Sequence, residues 1–255
     1  MRLQPIAIPS LLALAACDFD EVRVDLAPES LQASFADTLR VDVDAGRLDV
    51  LGSAKSAVVV TPSVFHARHH DERDVLDALE IRFEPVGNEI RLDVRFSDSF
   101  FPEPYVDLLV EVPERFALDV VDGSGDLEIS GVGSVRLQDD SGHALVREVL
   151  GDLVVVDDSG DFSAEDIGGD VRINDDSGEI RLFRVGGAVE IDDGSGDMEL
   201  RDVAGRVLIR DDSGTIRIER APGRVEIFDG SGDIDLIDAP NAEVLSNDSG
   251  TVRRR

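Results

Sequence analysis

Apolar and polar residues alternate with a period of two through most of the chain, in short runs separated by glycine, aspartate and serine. Val171-Arg172-Ile173 and Ile180-Arg181-Leu182 are representative. This alternation marks strands with one buried face, and the Gly/Asp/Ser clusters between them supply turns. From Asp122 onward one turn phrase returns eight times, as DGSGD, DDSGH, DDSGD, DDSGE, DGSGD, DDSGT, DGSGD and NDSGT. Its Ser-Gly glycines are Gly125, Gly142, Gly160, Gly178, Gly196, Gly214, Gly232 and Gly250, spaced by 17 residues once and by 18 thereafter. Self-similarity at such a period predicts a solenoid in which each repeat is one coil stacked on the last.

Each 18-residue coil divides into two nine-residue halves. Gly160-Asp161-Phe162-Ser163-Ala164 is answered by Gly169-Asp170-Val171-Arg172-Ile173. Stacking the coils aligns apolar columns: Leu127, Ala144, Phe162, Ile180, Met198, Ile216 and Ile234 form one, and Val135, Leu153, Val171, Val189, Val207 and Val225 another. Val132, Val149, Ile167, Val185 and Val203 fill the bend between halves. Two outward columns alternate in sign at the same step, Arg181, Glu199, Arg217, Asp235, Arg253 and Asp166, Arg184, Asp202, Arg220, Asp238. Opposite charges on neighbouring strands attract by roughly 0.2–1 kcal/mol per pair, so both columns favour parallel strands in register. The fold class is all-β, a parallel β-helix or solenoid. In the last coil Glu243 stands where earlier coils carry valine or leucine, and Pro240 precedes it, which predicts a frayed or slipped end. The Arg253-Arg254-Arg255 terminus discourages edge-to-edge pairing.

The earlier segment is less regular. Residues 1–16 read as a signal peptide: Arg2 supplies a positive start and Ile6 to Ala16 an apolar stretch too short to span a bilayer. Leu14-Ala15-Ala16-Cys17 resembles the bacterial lipobox, after which the cysteine is lipidated and becomes the mature N-terminus. Residues 17–36 are then a lipidated start and linker, 37–120 an irregular β-rich part that caps the solenoid, and 121–255 the regular solenoid. Within 37–120, Leu39–Val43 and Gly46–Val50 already echo the half-coils. Asp71 to Leu79 predicts a short helix, Ala78–Phe83 with Ile90–Phe96 around Gly87-Asn88 a hairpin, and Tyr105 to Val112 a strand ended by Pro113.

These residues carry a family resemblance. Val43-Asp44-Ala45-Gly46-Arg47-Leu48-Asp49-Val50, the stretch VEVPERFALDVVDGSGDLEISGV from Val110 to Val132 and the SGD-type turns resemble the bacterial putative-adhesin domain family, which is related to GIN-type adhesin head domains. The likeness runs from about Phe35 onward. It implies a β-helical, envelope-associated protein without known catalytic residues, and it assigns no binding residue.

Composition narrows the function further. With 55 Asp and Glu against 25 Lys and Arg, the formal charge is -30. No basic stripe exists to neutralise phosphates, which excludes nucleic acid as a partner, and anionic headgroups repel the body of the protein. The sharpest candidate chemistry is the first place of each turn. Asp122, Asp139, Asp157, Asp175, Asp193, Asp211 and Asp229, with Asn247, form a column of like groups about 5 Å apart. Each Asp could accept amide hydrogens of its own turn. Alternatively, Asp139, Asp157, Asp175, Asp193, Asp211 and Asp229 could hold calcium between coils, since calcium prefers hard oxygen ligands. The coil resembles calcium β-rolls in length but lacks their GGxGxD phrase.

His66, His69, His70 and Asp71 form the histidine-rich cluster, a candidate zinc site or a polar loop, and His143 falls in a turn. The Asp-Ser pairs recur in coil after coil, whereas a catalytic site is local and singular, so they read as turns and not as nucleophiles. The sequence therefore points to a non-enzymatic, exported, lipid-anchored β-solenoid of the bacterial cell envelope. It would act as a scaffold or adhesin-like binding module for an envelope protein or glycan, with no cofactor beyond calcium. The alternatives are a calcium-stabilised spacer and a polysaccharide-active β-helix enzyme.

Overall fold

The computed structural model describes residues 21–255; the leader and Cys17 lie outside the described residues. Two sheets of thirteen and eleven strands face one another. Strands that follow the Ser-Gly turn lie in the larger sheet, for example Gly142–Val149, Gly160–Ile167, Ile180–Val185 and Met198–Val203. The intervening strands, such as Leu153–Asp157, Val171–Asp175 and Val189–Asp193, lie in the smaller one. Pairing is parallel, and equivalent residues of successive coils are partners: Phe162 with Ile180, Ile180 with Met198, Val171 with Val189. This is the parallel β-solenoid that the period predicts.

The apolar columns form one continuous core. Ile129, Val146, Phe162, Ile180, Leu200, Ile216 and Ile234 are buried from the larger sheet, and Leu153, Ile173, Ile191, Val207 and Ile227 from the smaller. Phe162 is accommodated by small neighbours, with Ala144 beside it in the preceding coil and Ala164 two residues on. Volume is thereby conserved locally, as a close-packed interior requires.

The Ser-Gly turn sets the stacking distance. At Gly178 (φ 151°) a Cβ would lie 1.6 Å from the carbonyl oxygen of Gly160, and at Gly196 (φ 155°) equally close to that of Gly178. The same close approach runs from Gly46 through Gly250. Backbone bonds lock the turn to the coils on both sides: the Gly178 amide donates to the Ser195 carbonyl of the next coil at 3.1 Å, and the Asp176 amide to the Asp157 carbonyl of the preceding coil at 3.1 Å.

The N-terminal part joins the stack out of sequence order. Thr38–Val43 lies between Glu89–Phe96 and Ala117–Asp122, parallel to both, and Leu48–Ser53 lies between Tyr105–Pro113 and Gly125–Val132. The coil of residues 38–53 is thus second in the stack, although it comes first in the chain. The link from Pro113 to Ala117 crosses it and buries Phe116 fully. Alternation along the strands cannot reveal this order, because every coil presents the same two faces.

Antiparallel strands finish this end. Ala57–Ala67 pairs with Tyr105–Pro113 and is covered by Glu21–Asp25 and Glu29–Gln32. The predicted hairpin is Leu79–Val86 with Glu89–Phe96, and the predicted helix is Glu72–Ala78. Reversal of strand direction blocks further parallel stacking, as a cap must.

The last coil slips, as Glu243 and Pro240 predict. Ala242, not Glu243, takes the buried place beside Val225, and Glu243 lies beside Glu226. A bulge between Ile227 and Phe228 restores register, so that Asn247 partners Asp229. Burying alanine avoids burying an unpaired carboxylate, which costs far more than the irregularity.

Gly178→Ala is expected to lower stability by more than about 3 kcal/mol, because the coil must open against a backbone atom. Gly87→Ala, at φ 65° with open space around it, should cost only about 1–2 kcal/mol. Chemical denaturation of both variants tests this; equal losses would contradict the stacking argument.

Candidate functional site

The aspartate column faces inward. Asp122, Asp139, Asp157, Asp175, Asp193, Asp211 and Asp229 are all buried, with exposures of 0–6%. They end the inner face of their strands, and Asp157, Asp175 and Asp193 partner one another directly. The turn itself supplies one hydrogen bond to most of them. The amides of Ser159, Ser177, Ser195 and Ser213 donate to Oδ1 of Asp157, Asp175, Asp193 and Asp211 at 3.0–3.1 Å. The second oxygens of Asp175, Asp193 and Asp211 are buried without a hydrogen bond, as are both oxygens of Asp122, Asp139 and Asp229.

Burial, and then the neighbouring carboxylate, therefore pushes the acidity of the column down. Asp122 and Asp193 are pushed up to about 7. Asp139, Asp175 and Asp211 rise to about 6, and Asp157 and Asp229 also rise. At neutral pH part of the column holds protons, and it titrates as a coupled set.

The outward ladders behave differently. Arg217 lies 3.8 Å from Glu199 and 3.1 Å from Asp235 in the adjoining coils. Arg184 grips Asp166 through two bonds of 2.6 and 2.9 Å, and Arg220 likewise grips Asp202. These guanidinium hydrogen bonds hold Asp166 and Asp202 below the usual carboxylate range. The second ladder sits on a left-handed corner: Glu148, Asp166, Arg184, Asp202, Arg220 and Asp238 have φ of 51–60°. Sequence reasoning placed the charges but missed the corner. The available signal was Gly131, which heads this column with φ 71°.

The histidine cluster is split between tasks. His66 is buried on the inner side of its strand, with Nδ1 3.0 Å from the Ala67 carbonyl. His69 and His70 both place Nε2 3.1 Å from the carbonyl of Phe101. Asp71 does not join them; its Oδ1 accepts from the Arg73 amide at 2.9 Å and caps the short helix. The exposed His143 lies 3.8 Å from Asp161 of the next coil. Among the described residues, no three His, Cys, Asp or Glu converge as a metal cage. Cys17 lies outside the described residues, and within them no helix is long and apolar enough to cross a membrane.

The turn serines are committed as donors. Ser159 and Ser177 donate their hydroxyls to the carbonyls of Asp140 and Asp158 at 3.2 and 3.5 Å. The adjacent aspartate binds the serine amide and not the hydroxyl, so these pairs are not built as a base and nucleophile.

The coils with these turns are also the part of the chain that a family model recognises, from residue 108 to 251. That is more than half of the chain. The chain belongs to the Toastrack DUF4097 family. The Toastrack match begins within the strand Tyr105–Pro113, so Leu48–Ser53, which precedes it in sequence, lies between two matched strands, whereas Thr38–Val43 lies between the matched Ala117–Asp122 and the unmatched Glu89–Phe96. A putative adhesin from Bacteroides fragilis is a similar solved structure, with 13% identity, a TM-score of 0.47, and 90% of this chain and 96% of that one covered. A putative cell adhesion protein from Clostridium sporogenes is another, with 9% identity, a TM-score of 0.39, and 92% and 100% covered. No match is found among curated proteins.

The buried column makes stability rise as pH falls. Unfolded, these carboxyls titrate near 3.8; folded, several titrate near 6 to 7. The folded state therefore holds the extra protons, and its charge penalty is relieved as pH drops from about 8 through that range. The lowered groups Asp166 and Asp202 act with opposite sign, and their contribution is lost only below about pH 4. The melting temperature should thus peak in mild acid. Asp175→Asn, which keeps an acceptor for Ser177 and adds a donor, should stabilise by about 1 kcal/mol at pH 8 and by less at pH 5. A midpoint that falls steadily from pH 8 to 5 would overturn this.

Proposed function

We propose that this Toastrack protein is a non-catalytic envelope scaffold or binding module, exported and held on a membrane by a lipid on Cys17. The observation that carries the reading is the contrast between its two sides. Inward positions repeat core residues and buried aspartates, while outward positions vary from coil to coil and are exposed or half-buried. Along one outward column of the smaller sheet stand Asp119, Arg136, Val154, Arg172, Glu190, Leu208 and Glu226, in register. Such a face is long, flat and rigid, and solenoids engage partners over surfaces of this kind. An envelope protein or glycan is the partner class, since an acidic body repels nucleic acid and anionic headgroups.

A second reading, a calcium-stabilised spacer, is favoured by the buried and unbonded oxygens of the aspartate column. A divalent cation would neutralise them. Melting at pH 8 with calcium and with chelator separates the readings: an unchanged midpoint removes the spacer.

For the anchor, wild-type chain should fractionate with membranes and Cys17→Ala should become soluble. Equal membrane fractions would remove the lipid anchor and leave the fold untouched.

A further inference from the structure

Phe101 is the most exposed large apolar side chain among the described residues, at 90%. It sits at the tip of the segment between the strands Glu89–Phe96 and Tyr105–Pro113. This tip is fastened rather than loose. At its base the Ser97 amide and hydroxyl donate to the Ala78 carbonyl at 2.9 and 3.1 Å. Phe100 turns inward, 5.3 Å from the His70 ring and 6.5 Å from the Phe96 ring. His69 and His70 both hold the carbonyl of Phe101 itself. The two adjacent phenylalanines therefore serve opposite ends: one packs into the cap and the other is held out in solvent. Holding an aromatic ring in water forgoes the gain of burying it, and no contact among the described residues covers it.

The place of the tip says what covers it. Pro102 and Glu103 wall a cleft of about 100 Å³ together with Glu21, Phe65 and Tyr105. The Tyr105 hydroxyl donates to Glu21 at 3.2 Å. Phe101 is therefore beside the point where the described chain begins. Cys17 is four residues before Glu21, so it can lie no more than about 14 Å beyond that residue. A lipidated Cys17 would bring the bilayer surface to this same end of the solenoid.

We propose that Phe101 inserts into the membrane interface beside the lipid anchor and stands the solenoid away from the bilayer. The proposal rests on the lipid-anchor reading above. Phenylalanine is among the apolar side chains that interfacial segments bury at the boundary of headgroups and acyl chains, and a second contact beside the anchor converts attachment into orientation. The acids around the tip, Glu21, Asp71, Asp98 and Glu103, suit a zwitterionic surface and not an anionic one. The capped end then faces the membrane, and the outward faces of the coils project from it.

The chain contains no tryptophan, so one substitution makes a clean reporter. Phe101→Trp in the full-length, lipid-processed protein is reconstituted into phosphatidylcholine vesicles with brominated acyl chains. The expected result is blue-shifted emission and loss of intensity to the bromolipid. Phe228→Trp is the control: its coil is eight strand steps up the stack, roughly 38 Å at about 4.8 Å per step, and it should keep its emission. An unquenched indole at position 101, or equal quenching at both positions, would overturn the inference. The anchor is read separately: Cys17→Ala that still floats with vesicles overturns the lipid-anchor reading, whereas an anchored protein with no quenching at 101 overturns only the orientation.

Discussion

The contact between the Ser-Gly glycine of one coil and the glycine carbonyl of the coil before it governs the rest of this structure. A side chain at Gly178 or Gly196 would collide with backbone, which cannot step aside. The turn can therefore stack in only one register, and every other residue inherits that register. Apolar residues align into columns with in-register neighbours, and the close spacing rewards small-beside-large pairs such as Ala144 and Phe162.

The same constraint creates the unusual feature of the molecule. A turn that needs an aspartate to accept its own serine amide, repeated in register, puts carboxylates directly beside carboxylates. Outward columns resolve such repetition by alternating sign, as Asp166 with Arg184 and Asp202 with Arg220 show. The inward column does not, because every coil from Asp122 onward puts Asp, or in the last one Asn247, at this place and none puts Lys or Arg there. Protons take the place of the missing cations. Local turn chemistry and global stacking thus agree on the aspartate while disagreeing on its charge.

Much of this was legible in the sequence, and the exceptions have physical reasons. Period and alternation reveal coils, columns and ladders because each depends on spacing alone. The hairpin around Gly87-Asn88 and the helix after Asp71 were legible for the same local reasons. The displaced coil of residues 38–53 was not, since stacking order depends on which edges meet and identical faces carry no label. Nor was the inward direction of the aspartates, because a polar residue at a turn is expected outside. The slip of the last coil was legible from Glu243, but the bulge that restores register was not, because no glycine announces it. At the cap, the histidine cluster allowed either ligands or a polar loop, and His69, His70 and Asp71 are spent as a loop spends them, on a backbone carbonyl and a helix end.

The claim that ties these features together is that register forces buried aspartates to keep protons near neutrality. Carbon-detected NMR of the side-chain carboxyls, followed across pH, reads this directly. The account predicts a set of aspartate carboxyls still titrating between about pH 5 and 8, well above the ordinary carboxylate range. Aspartates that are all fully ionised by about pH 5 would contradict it.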